Sequence, residues 1–437
     1  MPPTKQIARD VFQQTLSSID ISAVMARKLS LDGSHLLLPA ADVDLAAFSR
    51  IFVVAIGKAA HAMVDGLESL LPAGSSFTGV VAAPTKPATP VHGLHYFLAG
   101  HPLPNRDSWR AAEAILRLLR DCHERTLVFF LLSGGGSALA ELPLAPSMTL
   151  EDVQAVHGAL VTCGAPIEAI NTVRRHLSAI KGGRLALAAG PARKITLAVT
   201  DVPAGKETAL ASGPSLPDPT SLSDVQRIFA EFDLPNRFPA SLRQWLVDGG
   251  IPETPKPGHP AFRNAHFVLL LGMDDLFHAA HHAVEGHGYR SCCDNSTDEW
   301  PVEKAAEDLL SQLRAWKDEN AGHRVALVAD GEISSPVMGD GIGGRNSAFV
   351  LACVEKIAGQ QITVLSAGTD GIDGNSRAAG AVADGETLSR AKSLGLDPSA
   401  AFRESDAYTF FSKLDDALVT GPTGNNLRDL RILLAEP

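Results

Sequence analysis

The stretch that decides the fold is LVFFLLSGGGSALA, residues 127–140. An apolar run typical of a buried strand leads directly into three glycines and then into a helix-forming run. Such a junction points backbone N–H groups at one place, which is the arrangement that binds an anion, above all a phosphate. The alternative is a tight strand-to-helix turn without a ligand. The residues predicted to contact a phosphorylated cofactor here are Ser133, Gly134, Gly135, Gly136 and Ser137.

Two further glycine-containing junctions carry a cation. IFVVAIGKAA at 51–60 places Lys58 at the start of a helical run, where a positive charge opposes the helix dipole unless an anion is bound as well. GDGIGGRN at 339–346 places Arg345 beside its glycines, and the planar guanidinium of arginine suits spread phosphoryl charge. A solvated lysine and an ordinary salt bridge are the alternatives. The glycines predicted to bind the cofactor in these two turns are Gly57, Gly343 and Gly344.

Composition limits the class of protein. The chain has 437 residues, 45% of them hydrophobic and 20% charged, which allows two or three domains with large cores. The net charge of −11 argues against a broad surface for nucleic acid or membrane, although a local basic pocket stays possible. Five cysteines without C-x-x-C spacing fit a reducing compartment. We therefore expect a cytoplasmic monomer or homodimer that acts on a small molecule.

Strands alternate with helical segments along the chain, which predicts an α/β protein with parallel sheet. In such sheets ligands bind beyond the carboxyl ends of the strands, and the glycine-rich turns follow strands. Prolines cluster at 238–260, where we place a domain boundary between residues 1–245 and 260–437. The predicted strands are 51–56, 79–83, 127–132, 194–200, 267–271, 325–328 and 361–367.

Phosphoryl transfer also needs carboxylates. A divalent metal must neutralise the charge of the nucleotide, and carboxylates hold that metal. Asp201 follows a predicted strand, and Asp370 and Asp373 lie in the loop SAGTDGIDG together with Gly371. We expect Asp201 or Asp370 to hold Mg²⁺, and Asp201 also to act in catalysis. Helix caps or Asx turns are the alternative role for such aspartates.

The motifs taken together resemble the class II glycerate kinases. The resemblance extends over about residues 5–432, and the block at 164–186 is its most specific part. The motifs that carry it are VVAIGKAA, GHPLPN, LLSGGGSALAELP, APIEAINTVRRHLSAIKGGRLA, TLAVTDVP, ASGP, GGRN, SAGTDGIDG and TGPTGNN.

This resemblance implies a large Rossmann-like parallel-sheet N-terminal domain and a smaller α/β C-terminal domain of the MOFRL type. It also implies ATP-dependent phosphorylation of D-glycerate with Mg²⁺, usually at the 2-hydroxyl, and leading catalytic roles for Lys58 and Arg345. The substrate carboxylate needs a cation of its own, since arginine can hold it by two parallel hydrogen bonds. Arg174, Arg175 and Lys181 are the candidates.

Three departures from the family pattern involve carboxylate positions. Ser347 and Ala348 follow GGRN where a glutamate is common, Arg377 replaces a common aspartate, and AGKE follows DVP. Two other functions stay open. One is an NAD(P)H-dependent hydroxypyruvate reductase, which would use the G-x-G-x-x-G pattern that begins at Gly339. The other is a nucleotide-binding protein without catalysis.

Overall fold

The apolar run before the three glycines forms a central strand of a six-stranded, all-parallel sheet. This sheet belongs to the unit formed by residues 21–271, one of two compact units into which the chain divides. The structure is a computed structural model that describes residues 3–72, 74–200, 202, 205–425 and 427–437. Its strands are β4 Arg50–Ile56, β5 Thr78–Ala83, β6 Leu94–Leu98, β7 Thr126–Leu132, β8 Arg193–Val199 and β9 Ala265–Leu271. They lie in the order β6-β5-β4-β7-β8-β9.

The order of these strands creates a topological switch point between β4 and β7. From β4 the chain adds β5 and β6 on one side, and it then returns to add β7, β8 and β9 on the other side. Ligands of open parallel sheets bind in the crevice where the strand order reverses in this way. The sequence predicted glycine turns directly after both of these strands, so the fold places the two turns side by side.

Helices and a small sheet complete this unit. A three-stranded antiparallel sheet comprises β1 Ser30–Asp32, β2 His35–Leu38 and β3 Ala41–Asp44. The parallel sheet buries every residue of β7, so its faces are covered as a doubly wound fold requires. The helices are α2 Ile21–Lys28, α3 Ala60–Leu70, α4 Arg106–Leu119, α5 Gly136–Leu139, α6 Leu150–Thr162, α7 Ile167–Leu177, α8 Arg184–Ala188, α9 Leu222–Glu231, α10 Leu234–Arg237 and α11 Ala240–Val247.

The second unit joins the chain up to Asp20 with residues 272–437. Its six-stranded sheet has the order β10-β11-β15-β12-β13-β14 and is mixed, because only β10 and β11 are parallel. The strands are β10 Arg290–Asp294, β11 Val325–Asp330, β12 Ile362–Gly368, β13 Gly380–Asp384, β14 Ala417–Leu418 and β15 Asp429–Ala435. The helices are α1 Thr4–Ser18, α12 Met273–Gly286, α13 Val302–Glu319, α14 Arg345–Val354, α15 Thr387–Ser393, α16 Pro398–Arg403 and α17 Ala407–Lys413.

The predicted domains, 1–245 and 260–437, differ from these units in two places. The first is α1, which packs on β12, β13 and β15 although these strands follow it by more than three hundred residues. The second is β9, which pairs in parallel with β8, so the proline-rich segment is a connection within the first unit. None of the described helices is long and apolar enough to cross a membrane.

Candidate active site

The turns after β4 and β7 are locked together by backbone contacts. Ser133 N–H donates to the Ile56 carbonyl at 3.0 Å, and Lys58 N–H donates to the Gly134 carbonyl at 2.9 Å. Gly57 has φ +141°, and a Cβ there would lie 2.0 Å from Ser133 Oγ, so no side chain fits at this position. The two strand ends are therefore held in one fixed arrangement at the switch point.

The triple-glycine turn offers N–H groups that the rest of the described chain does not use. No described residue accepts from the backbone N–H groups of Gly134, Gly135, Gly136 or Ser137. Gly135 has φ +82°, the left-handed conformation that glycine tolerates. The helix that follows, α5, has only four residues, so its dipole contributes little. Successive open N–H groups in a turn form an anion-binding concavity by themselves.

Two side chains approach this turn. A Cβ placed on Gly135 would lie 3.0 Å from Cδ2 of His101 and 3.4 Å from Cγ of Lys58. Partial burial and the nearby Lys58 charge lower the pKa of His101, which favours a neutral imidazole. Lys58 is half-buried and forms no ion pair with any residue that the structure describes. Within the described part of the chain, a cation without a partner carboxylate thus lies beside open N–H groups, an arrangement that suits an anion.

His101 and two polar residues under the turn were not predicted as site residues. Ser137 Oγ lies 2.9 Å from Ser212 Oγ, and Ser212 donates to Asn171 Oδ1 at 3.3 Å. Ser212 has φ +58°, a left-handed conformation that is unusual for a residue with a side chain. The signal for His101 was available in the motif GHPLPN, whereas only the tertiary structure brings Ser212 to Ser137.

Ser133 has a structural role in this arrangement. Its side chain is fully buried, and its hydroxyl accepts the N–H of Ala59 at 3.0 Å. The prediction that Ser133 contacts a cofactor therefore receives no support from its surroundings. Asp201, predicted to act in catalysis and in metal binding, lies outside the described residues.

The three predicted substrate-binding cations have different surroundings. Lys181 is buried and forms an ion pair with Glu141, and Arg175 Nε lies 3.0 Å from Oδ1 of the buried Asp218. Both charges are matched inside the protein, which is a structural role. Arg174 is only partly buried, and its Nε has no hydrogen-bond partner among the described residues. Burial lowers the pKa of Arg174, and Glu141 opposes that effect.

In the second unit, Arg345 begins α14 and lines a cavity of about 520 Å³. Its Nη1 donates to Glu332 Oε2 at 2.9 Å, and its Nε donates to Asp429. Burial lowers the pKa of Arg345, but the pairs with Asp429 and Glu332 outweigh it, and the net shift is upward. Asp370 lines the same cavity, and its Oδ1 accepts from the N–H of Ile372 at 3.0 Å as in an Asx turn.

The glycine-rich segment before Arg345 does not form a phosphate loop. The N–H of Gly341 donates to the Glu404 carbonyl, and that of Gly343 donates to Asn375. The N–H of Gly344 donates to Ser347 Oγ. Gly343 and Gly344 were predicted to bind the cofactor. Both line the cavity, but their N–H groups already have partners within the protein. Gly371 is a packing residue, since a Cβ there would lie 2.0 Å from the Gly421 carbonyl oxygen.

The same segment does not match a dinucleotide-binding fingerprint. That fingerprint needs a glycine turn directly between a strand and a helix, with N–H groups free for a pyrophosphate. Here β11 ends at Asp330, and a loop separates it from Gly339. Asp373, the other aspartate of the loop SAGTDGIDG, caps α14 by accepting from the N–H groups of Asn346 and Ser347.

Among the described residues no group of three His, Cys, Asp or Glu side chains is arranged to hold a metal ion. Mg²⁺ does not require one, because it commonly binds one or two carboxylates together with phosphate oxygens and water. Asp370 on the cavity wall offers one such carboxylate.

Arg377, which replaces an aspartate common in the family, has a partner in Tyr408, whose hydroxyl accepts from Arg377 Nε.

The fold and the switch-point turn define a two-unit α/β protein with open backbone N–H groups at the carboxyl ends of the central strands of its parallel sheet. Residues 7–247 match the family described as "Domain of unknown function (DUF4147)", and residues 325–429 match the MOFRL family. The chain belongs to the class II glycerate kinase family, which combines these two domains.

Similar proteins carry two kinds of name. A D-glycerate 2-kinase from Thermotoga maritima is 33% identical, with 88% of this chain and 90% of that protein covered. A protein from Agrobacterium vitis with the provisional name hydroxypyruvate reductase is 36% identical, with 88% and 87% covered. The crystal structure of a glycerate kinase from Thermotoga maritima superimposes with a TM-score of 0.83 at 29% identity, covering 99% of each chain.

Proposed function

We propose that this protein transfers a phosphoryl group from ATP to D-glycerate and releases 2-phosphoglycerate and ADP. The observation that carries the proposal is the arrangement at the switch point, where Lys58 lies beside the open N–H groups of Gly134–Gly136. Lys58 has no ion-pair partner among the described residues. Relatives named for glycerate phosphorylation support the choice of substrate.

In this proposal Lys58 and the N–H groups of the triple-glycine turn hold the group being transferred. Preorganised donors aimed at developing charge lower the barrier without reorganisation during the reaction. Neutral His101 lies beside this position and can donate or accept a hydrogen bond. Arg174 is the cation proposed for the glycerate carboxylate, because Arg175 and Lys181 are already paired.

Arg345 keeps a catalytic role in the proposal. Its contacts with Glu332 and Asp429 fix the orientation of the guanidinium, so less rotamer entropy is lost when it binds an oxygen. Asp370 is proposed to bind Mg²⁺, and Asp201 stays a predicted ligand and catalytic residue. Bound Mg²⁺ would neutralise charge on the nucleotide phosphates. The cytoplasmic location and the monomeric or dimeric state are carried over from the sequence as predictions.

The reductase alternative is disfavoured by the glycine-rich segment before Arg345. Its N–H groups are used within the protein, and it is separated from the preceding strand. A nicotinamide dinucleotide would therefore lack the backbone donors that usually hold its pyrophosphate.

The test is ADP release by the purified protein with ATP and Mg²⁺, with and without D-glycerate. We expect release that depends on glycerate, with the phosphate on C2 as assigned by ³¹P–¹H NMR. Oxidation of NADH on addition of hydroxypyruvate, without ADP release, would replace the proposal by the reductase function. Nucleotide binding without turnover on any hydroxy acid would replace it by a non-catalytic one.

A further inference from the structure

The second unit contains an apolar cavity beside the one that Arg345 lines. It has a volume of about 260 Å³ and lies between the start of α13, α14, α16 and the segment 335–338. Most of its lining side chains are hydrophobic. Glu303 is the one charged residue among the described residues that line it. The main apolar residues are Val302, Val337, Met338, Ala348, Leu351 and Phe402.

The two cavities share a wall. Ser335, Val337, Gly343, Gly344 and Ser405 line both of them. At Gly344 a Cβ would lie 2.4 Å from Asp373 Oδ1, so the backbone here is packed too closely against Asp373 for any side chain. The two cavities are therefore direct neighbours.

The chemistry changes sharply from one cavity to the other. The larger cavity has Arg345, Asp370 and Asp429 on its wall, which suit hydroxyl groups and metal-bound phosphates. The smaller one offers apolar surface and a carboxylate acceptor at Glu303. Small-molecule sites usually have volumes of about 300–1,000 Å³, with an apolar lining and few polar groups. The pair of cavities fits a molecule with a flat apolar end and a polar, charged end.

We propose that the apolar cavity binds the purine base of the phosphoryl donor, with the ribose and phosphates directed into the cavity of Arg345. This inference deepens the proposed kinase function and rests on it for the identity of the ligand. A purine has the apolar faces that this lining buries, and its exocyclic N–H groups can donate to the Glu303 carboxylate.

Helix α14 provides a matched pair of variants. Ala348 lines the apolar cavity, whereas Ala352, one turn further along the same helix, lines a different cavity. Both alanines are partly buried and pack against the same core. Ala348→Phe fills the proposed base site, and Ala352→Phe adds the same volume elsewhere.

The measurement is titration calorimetry of the full chain with ADP, UDP and ribose 5-phosphate. We expect wild-type protein to bind ADP more tightly than UDP, and Ala348→Phe to weaken ADP by at least about tenfold, the size of a lost apolar subsite. Ribose 5-phosphate should bind the variant and wild type alike. Ala352→Phe should bind ADP as wild type does.

A second variant covers the case in which Ala348→Phe does not fold. Met338 is 73% exposed, so Met338→Ser leaves the core intact, and it should weaken ADP by at least about threefold. Equal binding of ADP to wild type and to the folded variants would overturn the inference. So would equal affinity of wild type for ADP and UDP.

The outcome is separable from that of the proposed function. If Ala348→Phe left the glycerate-dependent turnover unchanged, the proposed base site would be wrong and the kinase function would be supported. If Ala348→Phe abolished ADP binding, and the wild-type protein did not phosphorylate glycerate, the base site would be supported and the proposed kinase function would be wrong.

Discussion

At the scale of single residues, Lys58 is notable because no described carboxylate balances its charge. Lys58→Met keeps the apolar stem and removes the ammonium, so the fold should tolerate it. We expect turnover to fall by about 10²-fold or more, the effect of losing one preorganised charged donor. ADP release under saturating substrates measures this.

The control for this variant is Lys86→Met, at an exposed lysine of the same unit. It should leave both turnover and the melting temperature unchanged. If the Lys58→Met protein folded and kept wild-type turnover, Lys58 would have no role in the reaction.

The two partners of Arg345 should differ in their effect on stability. The Glu332 side chain is 50% exposed, whereas that of Asp429 is 5% exposed. Glu332→Gln should therefore cost less than about 1 kcal/mol in the free energy of unfolding, as for surface pairs. Asp429→Asn should cost about 2 kcal/mol or more, because it weakens a charge-assisted hydrogen bond in a buried setting. Urea titration of both variants decides this, and equal costs would contradict it.

Asp330 should make stability depend on pH. Burial raises the pKa of Asp330 to about 6, although Arg428 and Arg431 oppose the shift. In the unfolded chain the pKa is the ordinary 3.8, so the folded state holds the proton more tightly. This contribution to stability is complete below about pH 4 and is lost as the pH rises through 6.

Asp330→Asn should remove that dependence. A plot of the free energy of unfolding against pH between 4 and 7 should become flatter than that of wild type. Asp318→Asn, at an exposed position on α13, is the matched control. A slope that the Asp330 substitution leaves unchanged would show that other groups cause it.

At the scale of elements, α14 depends on a cap from a distant loop. Asp373 accepts from the N–H groups of Asn346 and Ser347 and from Ser347 Oγ at 2.6 Å. Asp373→Ala leaves these buried donors unpaired and should cost about 2 kcal/mol in the free energy of unfolding. Thermal unfolding monitored by circular dichroism measures the loss.

Asp373→Asn is the informative companion variant, because an amide oxygen can still accept one of these hydrogen bonds. It should destabilise less than the alanine substitution. If Asp373→Ala left stability unchanged but abolished Mg²⁺-dependent turnover, Asp373 would be a metal ligand after all.

The three glycine-rich turns differ in whether their backbone N–H groups have partners within the protein. All three were predicted to cradle phosphate, because glycines next to strands and helices form such turns. Among the described residues, the turn at Gly134–Gly136 keeps its N–H groups open, whereas that of Gly57 donates to the Ala82 carbonyl. The N–H groups of Gly341, Gly343 and Gly344 donate to Glu404, Asn375 and Ser347. Composition alone cannot separate these cases, since a glycine that allows close packing and one that binds a ligand look alike.

At the scale of the whole molecule, the first helix belongs to the second unit. Phe12 on α1 is 2% exposed, in a unit whose other residues begin at Gly272. Phe12→Ala should cost about 3–5 kcal/mol, the usual price of a large buried cavity. Hydrogen exchange should then show the loss of protection in 272–437.

Phe129→Ala in β7 is the matched control, since this fully buried phenylalanine lies in the other unit. Its protection loss should map to residues 21–271. Equal loss across both units in each variant would show that the chain unfolds as one cooperative body.

The sequence by itself determined the parallel α/β unit and all seven predicted strands, because these rest on local apolar runs and turn chemistry. Only the tertiary structure decided that α1 joins the distant second unit, that Asp373 is a cap and that Lys181 and Arg175 are paired inside the core. These outcomes depend on which polar and apolar groups meet after folding, and partners far apart in the chain leave no local pattern.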